Sequence, residues 1–136
     1  MNLMTTGSPS GQSKHTVRTV LVVEDDEPIR TSTSEFLRDC GFVVIEAGDV
    51  TEAQTLLLNW HVDLVFSDIN LPNRESGFAL EKWVRHYYPD VKILLTSGYP
   101  HVSADPTQRR ALTVQKPYSY SALLRRIDAA FEPAIA

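Results

Sequence analysis

Residues 20–27 read Val-Leu-Val-Val-Glu-Asp-Asp-Glu, an apolar run that gives way at once to four acidic residues. Consecutive branched aliphatic residues are typical of a strand buried on both faces, as in parallel sheets covered by helices. Acidic residues directly after such a strand lie at its carboxyl end, where open parallel sheets bind their ligands. The stretch therefore predicts a class of fold and the edge of the sheet at which a polar site would lie.

The same alternation continues along the chain. Strand-length apolar segments recur at residues 42–45, 62–66, 91–95 and 111–114. Between them, apolar residues fall at helical spacing, as in the stripe formed by Ile29, Thr33, Phe36, Leu37 and Cys40. Alternating strands and helices favour a parallel sheet with helices on both faces. We predict an α/β fold: a flavodoxin-like, doubly wound, five-stranded parallel sheet with about five helices.

Two segments are expected to be less regular. Residues 1–16 are rich in serine, threonine and glycine and lack apolar periodicity, which is typical of a flexible N-terminal tail. The rest, residues 17–136, fits one domain of ordinary length. Residues 100–110 include two prolines and few apolar side chains, so the fourth helix is expected to be short or irregular.

Composition and charge exclude several kinds of protein. The chain has 13 basic and 17 acidic side chains, and a net charge of −4 argues against the basic surface that binds nucleic acid. No apolar run approaches the ~18 residues of a membrane span, and the N-terminus lacks a signal-peptide pattern. The single cysteine, Cys40, excludes an internal disulfide and a cysteine-based zinc site. We expect a soluble, cytoplasmic domain that binds neither nucleic acid nor membrane.

Polar side chains follow four of the five predicted strands. The first strand ends in the acidic residues 24–27, and the third runs into residues 67–70, Ser-Asp-Ile-Asn. The fourth ends in residues 96–98, Thr-Ser-Gly, and the fifth in residues 115–117, Gln-Lys-Pro. Because the carboxyl ends of parallel strands meet at one edge, we expect the carboxylates, a hydroxyl and a lysine to form one cluster.

The residue types of this cluster indicate phosphoryl chemistry. Carboxylates held close together repel one another unless a cation joins them. Oxygen ligands without histidine or cysteine favour Mg²⁺, which binds one or two carboxylates together with a phosphate. A lysine and a hydroxyl can bind the remaining phosphoryl oxygens. A carboxylate between metal and lysine can act as the nucleophile and form an aspartyl phosphate, and Asp68 is the best candidate because it ends the most central apolar run.

Each motif taken alone has a simpler interpretation. Asp26 could cap the helix that begins near Pro28. Asp68 alone could be a loop acid, and Lys116-Pro117 alone could be an ordinary surface turn. Their joint occurrence at the ends of successive strands favours the site over these separate explanations.

Four motifs in order resemble the receiver domain of two-component response regulators. They are residues 20–30 (VLVVEDDEPIR), 68–72 (DINLP), 95–98 (LTSG) and 116–118 (KPY). The resemblance covers the chain from about residue 18 to residue 131. It implies a domain that accepts a phosphoryl group from a phosphohistidine on a sensor kinase and requires Mg²⁺.

The resemblance also implies roles for the acidic residues. Asp68 would be the phosphoacceptor and a metal ligand. Asp25 would ligate Mg²⁺ directly and Glu24 through water, while Asn70 would offer its backbone carbonyl to the metal. Asp26 could replace Asp25, although the match of the Val-Glu-Asp sequence favours Asp25.

The hydroxyl and the lysine receive roles in the same way. Ser97 would be the switch hydroxyl that moves to the phosphoryl oxygens, and Lys116 would pair with them. Thr96 is the alternative hydroxyl, but Gly98 after Ser97 fits the small residue that follows the switch position. The resemblance further implies a cis Lys116–Pro117 bond. Thr113 stands where many relatives carry an aromatic switch residue.

The resemblance implies a signalling module and no enzyme beyond catalysis of its own phosphorylation and dephosphorylation. The expected partners are a sensor histidine kinase or a histidine phosphotransfer protein and an unknown downstream protein, with a homodimer as a further option. Arg30, Ser34 and Arg38 on the first helix are expected to help dock the kinase. We expect a stand-alone receiver that signals by protein–protein contact. The alternatives are a receiver module of a hybrid sensor kinase and a phosphorylation-independent adaptor.

Overall fold

The computed structural model describes residues 17–73, 75–97 and 112–132. The predicted tail, the predicted fourth helix and the side chain of Thr113 lie outside the described residues. The strands are β1 (Thr19–Val23), β2 (Val43–Ala47), β3 (Leu64–Asp68), β4 (Lys92–Ser97) and β5 (Leu112–Gln115). The helices are α1 (Glu27–Asp39), α2 (Val50–Asn59), α3 (Gly77–Tyr87) and α4 (Tyr120–Phe131). None of these helices combines the length and the apolar character that crossing a membrane requires.

The strands form one parallel sheet in the order β2-β1-β3-β4-β5. The order reverses between β1 and β3, which is the switch point of the flavodoxin-like arrangement, so the predicted fold class is confirmed. The pairing register brings the strand ends level: Val23 of β1 lies beside Ser67 of β3, and Asp68 of β3 lies beside Thr96 of β4. The carboxyl ends of β1, β3 and β4 therefore meet at one edge.

The core has two parts, one on each face of the sheet. The cluster beneath α2 and α3 is built on Leu21, Val65 and Leu95, and the one beneath α1 and α4 on Val22, Phe66 and Val114. Alternate residues of β1, β3 and β4 enter opposite clusters because successive strand side chains point to opposite faces. Burial on both faces explains why these strands read as continuous apolar runs.

The predicted apolar stripe of α1 is wrong at its last position. Leu37 and Thr33 are buried, but Cys40 is exposed. The helix ends at Asp39, and the Cys40 N–H bonds back to carbonyls in the last turn. Gly41 follows with a φ of 100°, a conformation that favours glycine, and turns the chain away.

Gly77 allows α3 to begin directly against the end of β3. Its N–H donates to the carbonyl of Ile69 at 2.8 Å. A Cβ at this position would lie 2.5 Å from the Asp68 carbonyl oxygen and 2.9 Å from the Ile69 Cα. Both neighbours are backbone atoms, so no side chain can move aside to relieve the overlap.

We expect Gly77→Ala to destabilise the fold, because overpacking usually costs about 1–3 kcal/mol. The better helix propensity of alanine, up to ~1 kcal/mol, offsets only part of this cost, since the overlap is with backbone atoms. Urea denaturation measures the free energy of unfolding. Gly48→Ala is the control, because its Cβ would meet only side-chain atoms, at 3.5 and 3.7 Å. Equal stability of the two variants would contradict the steric account.

Candidate functional site

The site lies where the chain leaves β1, β3 and β5. Glu24 follows β1, Asp68 is the last residue of β3, and Lys116 follows β5. The Lys116 Nζ donates to Glu24 Oε1 at 2.6 Å and to Asp68 Oδ2 at 2.9 Å. In the sequence, Glu24 lies 92 positions from Lys116 and Asp68 lies 48 positions from it. The structure therefore brings together three of the residues that the sequence placed at this edge.

The site is short of positive charge. Glu24 and Asp68 are 4% and 6% exposed, and the Lys116 side chain is 18% exposed. One ammonium faces two buried carboxylates, and the exposed Asp25 adds a third carboxylate beside them. A buried carboxylate without a full counter-charge is costly. The cluster thus favours a further cation.

The acidic turn after β1 is held by its own backbone bonds. The Glu24 N–H donates to the Ala47 carbonyl at 3.0 Å, and the Asp26 N–H donates to Glu24 Oε2 at 3.2 Å. The Asp26 carboxylate accepts from the Ile29 N–H at 3.1 Å and caps α1. Since Asp26 serves as this cap, Asp25 is the neighbour that joins the carboxylate cluster.

The Asp68 carboxylate is fixed by contacts to both of its oxygens. Oδ1 accepts from the Asn70 N–H at 3.1 Å, while Oδ2 accepts from Lys116. The backbone around it is also held, because the Ile69 N–H donates to the Thr96 carbonyl at 2.8 Å. The prediction that the Asn70 carbonyl serves a metal stays a prediction.

The loop that carries Lys116 is tied to β4 and to α1. The Lys116 N–H donates to the Ser97 carbonyl at 2.8 Å, and the predicted cis Lys116–Pro117 bond is present. The Tyr118 hydroxyl lies 2.8 Å from Thr33 Oγ1 on α1, and its ring packs edge-on against Phe66. The Tyr118–Thr33 contact was not predicted, because the sequence holds no local signal for it.

Both candidate hydroxyls end β4 and are buried. Ser97 holds Lys116 through its backbone carbonyl, and Thr96 holds Ile69 in the same way. The Thr96 hydroxyl has no hydrogen-bond partner among the described residues. The assignment of the switch role to Ser97 stays a prediction.

The docking face expected on α1 is partly wrong. Ser34 is fully buried, because it lies on the side of α1 that packs against the core. Arg38 is exposed and pairs with Glu46 at 3.1 Å. Arg30 is only 20% exposed and donates to the Glu24 carbonyl at 2.8 Å, so it supports the backbone of the acidic turn.

The carboxylates fit a hard divalent cation. One oxygen each from Glu24, Asp25 and Asp68 lies within 4.8 Å of the others. Mg²⁺ binds oxygen at about 2.0–2.1 Å, so oxygens across one ion are about 4.2 Å apart. A small contraction, or a water between one carboxylate and the ion, closes the difference. The all-oxygen set agrees with Mg²⁺ and not with a softer metal.

Burial and charge shift two pKa values in the site. Burial raises the pKa of Glu24, and the hydrogen bond from Lys116 offsets only part of that rise. Burial lowers the pKa of Lys116, but its hydrogen bonds to Glu24 and Asp68 and their negative charges outweigh burial and raise it. Lys116 is therefore held charged, whereas ionised Glu24 is disfavoured until more positive charge arrives.

Comparison with known sequences finds one family model and several related proteins. A family model described as the response regulator receiver domain matches residues 20–128. The sensor kinase CckA of Brucella abortus is 36% identical over 83 residues, which are 60% of this chain and 9% of that kinase. The chain spans between 9% and 62% of the length of the first relatives that it matches.

Solved structures agree over nearly their whole length. The chemotaxis response regulator CheY4 of Vibrio cholerae gives a TM-score of 0.71 at 28% identity, over 85% of this chain and 100% of that one. The response regulator TrrA of Thermotoga maritima, solved in complex with Mg²⁺-BeF, gives a TM-score of 0.74 at 26% identity, with the same two coverages. Both proteins are similar to this chain in fold.

The raised pKa of Glu24 predicts a pH-dependent effect of Glu24→Gln. The folded state binds the Glu24 proton more tightly than the unfolded state, so the contribution of Glu24 to wild-type stability falls as pH rises from about 4.5 through the raised pKa. Glutamine does not titrate. In Mg²⁺-free buffer, the free energy of unfolding of the variant minus that of wild type should therefore increase with pH across this window.

Urea denaturation at a series of pH values measures that difference. Glu35→Gln, which removes an exposed carboxylate from α1, controls for the loss of one negative charge. A difference that stays constant, or that shrinks as pH rises, would show that burial of Glu24 does not disfavour its charge.

Proposed function

The chain belongs to the response regulator receiver domain family, and from that premise we propose that it accepts a phosphoryl group on Asp68 from a phosphohistidine. The observation that carries the proposal is the contact of one lysine, Lys116, with both Glu24 and Asp68 at the edge of the sheet. A structural ion pair would need one carboxylate. Two buried carboxylates and a third nearby leave an excess of negative charge that suits a divalent cation, and that cation would in turn attract a phosphoryl group.

The proposed metal is Mg²⁺, with Glu24, Asp25, Asp68 and the Asn70 carbonyl as the residues that would hold it. Bound there, it would supply positive charge to phosphoryl oxygens as they approach the carboxylates. The solved complex of TrrA with Mg²⁺-BeF supports this choice by similarity. The chain's own oxygen ligands support it independently through their spacing.

Asp68 would act as the nucleophile. One of its carboxylate oxygens forms a bond to phosphorus as the bond between phosphorus and the donor's imidazole nitrogen breaks. The electron pair of the broken bond stays on the imidazole, so the transfer needs no oxidant or other co-reactant. The contacts from Asn70 and Lys116 fix the carboxylate before the donor arrives, which reduces the entropy cost of the transfer.

Phosphorylation would redistribute the contacts of Lys116. Phosphorylation would convert the single negative charge of Asp68 to about two and bring new acceptor oxygens to the end of β3. Lys116 would turn from the Asp68 carboxylate to these oxygens, and the Ser97 hydroxyl at the end of β4 would donate to them. The change would reach the surface through the loop that ties Lys116 to Ser97 and α1.

We propose that the domain signals through protein contacts and has no activity beyond its own phosphorylation and dephosphorylation. Its donor would be a sensor histidine kinase or a histidine phosphotransfer protein in the cytoplasm, where ATP is available. A stand-alone receiver is the first choice. A receiver module of a hybrid kinase is the second, favoured by the 36% identity to part of a sensor kinase. A complete charge cluster disfavours a phosphorylation-independent adaptor.

Incubation with a small acyl-phosphate donor and Mg²⁺ should add the mass of one phosphoryl group to the wild-type protein. The gain should be lost when Mg²⁺ is left out. It should also be lost in Asp68→Asn, because the amide is a poor nucleophile and a poor metal ligand. Intact-protein mass spectrometry measures both effects.

Asp90→Asn is the matched control, because it makes the same change at an exposed carboxylate. Asp90 precedes β4 and so lies at the end of that strand far from the site. It should gain the phosphoryl group as wild type does. A gain that persists in Asp68→Asn, or one that persists without Mg²⁺, would contradict the proposal.

A further inference from the structure

Arg30 joins the acidic turn to the neighbouring strand. It lies near the start of α1, and its guanidinium donates to the Glu24 carbonyl at 2.8 Å. The same group pairs with Glu46 on β2, with Nε 3.3 Å from Oε1. Its side chain is 20% exposed, so these contacts are made in a partly buried position. Arg30 therefore bonds the backbone of the acidic turn while its own head is fixed from β2.

The position of Asp25 depends on that backbone. Asp25 is exposed and continues the chain from the peptide whose carbonyl Arg30 holds. On its other side Glu24 is anchored by its N–H to the Ala47 carbonyl. The N–H and the carbonyl of Glu24 are both held, so the fold sets the directions of the Glu24 and Asp25 side chains before any cation binds.

We propose that Arg30 is a positioning residue for the divalent cation. By holding the Glu24 carbonyl, it keeps the Glu24 and Asp25 carboxylates directed at one point. The inference rests on the proposed function, because it assumes that Mg²⁺ binds this cluster.

The charge of Arg30 affects Mg²⁺ binding in the opposite direction to positioning. A positive charge close to the acidic turn repels a divalent cation, so an influence through charge alone predicts tighter Mg²⁺ binding when the charge is removed. Positioning predicts weaker binding. The two effects differ in sign, and a neutral variant separates them.

Arg38 offers a matched control. It also pairs with Glu46, at 3.1 Å, and it also donates to a backbone carbonyl, at 3.0 Å. That carbonyl belongs to Val44 on β2 and lies outside the acidic turn. Arg38→Met therefore removes the same kinds of contact without releasing Glu24. Glu46→Gln weakens both ion pairs while leaving the bond from Arg30 to Glu24 in place.

Isothermal titration with Mg²⁺ alone tests the inference, with the midpoint of thermal unfolding recorded for each variant. Arg30→Met should weaken Mg²⁺ binding about 10-fold or more, as loss of an outer contact to a metal ligand does. Arg38→Met and Glu46→Gln should bind within about 3-fold of wild type, well below that loss. Arg30→Lys keeps a donor for the carbonyl and should bind more tightly than Arg30→Met.

Three results would overturn the inference while wild type binds Mg²⁺. They are equal or tighter binding by Arg30→Met, equal losses in Arg30→Met and Arg38→Met, and weaker binding by Arg30→Lys than by Arg30→Met. Should Arg30→Met not fold, Arg30→Gln replaces it as the neutral variant in the same comparison. A wild-type protein that does not bind Mg²⁺ would instead overturn the proposed function.

Discussion

The ammonium of Lys116, shared between two buried carboxylates, organises the edge of this sheet. It joins the residue after β1, the last residue of β3 and the residue after β5, which are far apart in sequence. Removal of either carboxylate would leave the lysine with one partner. Removal of the lysine would leave two buried negative charges facing each other, which a protein interior tolerates poorly. The contacts of Lys116 therefore stabilise the close approach of these three strand ends.

The same imbalance links structure to chemistry. The sheet supplies a rigid support, because apolar clusters on both faces fix β1 and β3. At the carboxyl ends, where apolar side chains give way, Glu24, Asp25 and Asp68 carry more negative charge than Lys116 can offset. A folded state that lacks positive charge at a fixed point has a ready use for a cation and for the phosphoryl group that the cation would help to bind. The proposed function needs no rearrangement of the strands.

Much of the fold followed from the sequence, because buried parallel strands produce continuous apolar runs whatever their partners. Asp68 and Lys116 could be placed at one edge for the same reason, since strand ends in a parallel sheet must meet. Contacts that depend on tertiary placement could not be predicted. The helical spacing of Ser34 and Cys40 did not reveal which would be buried, because that depends on where α1 ends and how it packs. The bond from Arg30 to Glu24 and the bond between Tyr118 and Thr33 depend on side-chain directions that only the folded chain defines.

The most direct test of the account is chemical identification of the phosphorylated atom. Borohydride reduces an aspartyl phosphate to homoserine and leaves ordinary aspartates unchanged. The protein would be treated with a small acyl-phosphate donor and Mg²⁺, reduced, digested and sequenced by mass spectrometry. The account predicts homoserine at position 68 and aspartate at positions 25 and 26. Homoserine at position 25 or 26, or aspartate at all three positions in a protein that carries the phosphoryl group, would contradict it.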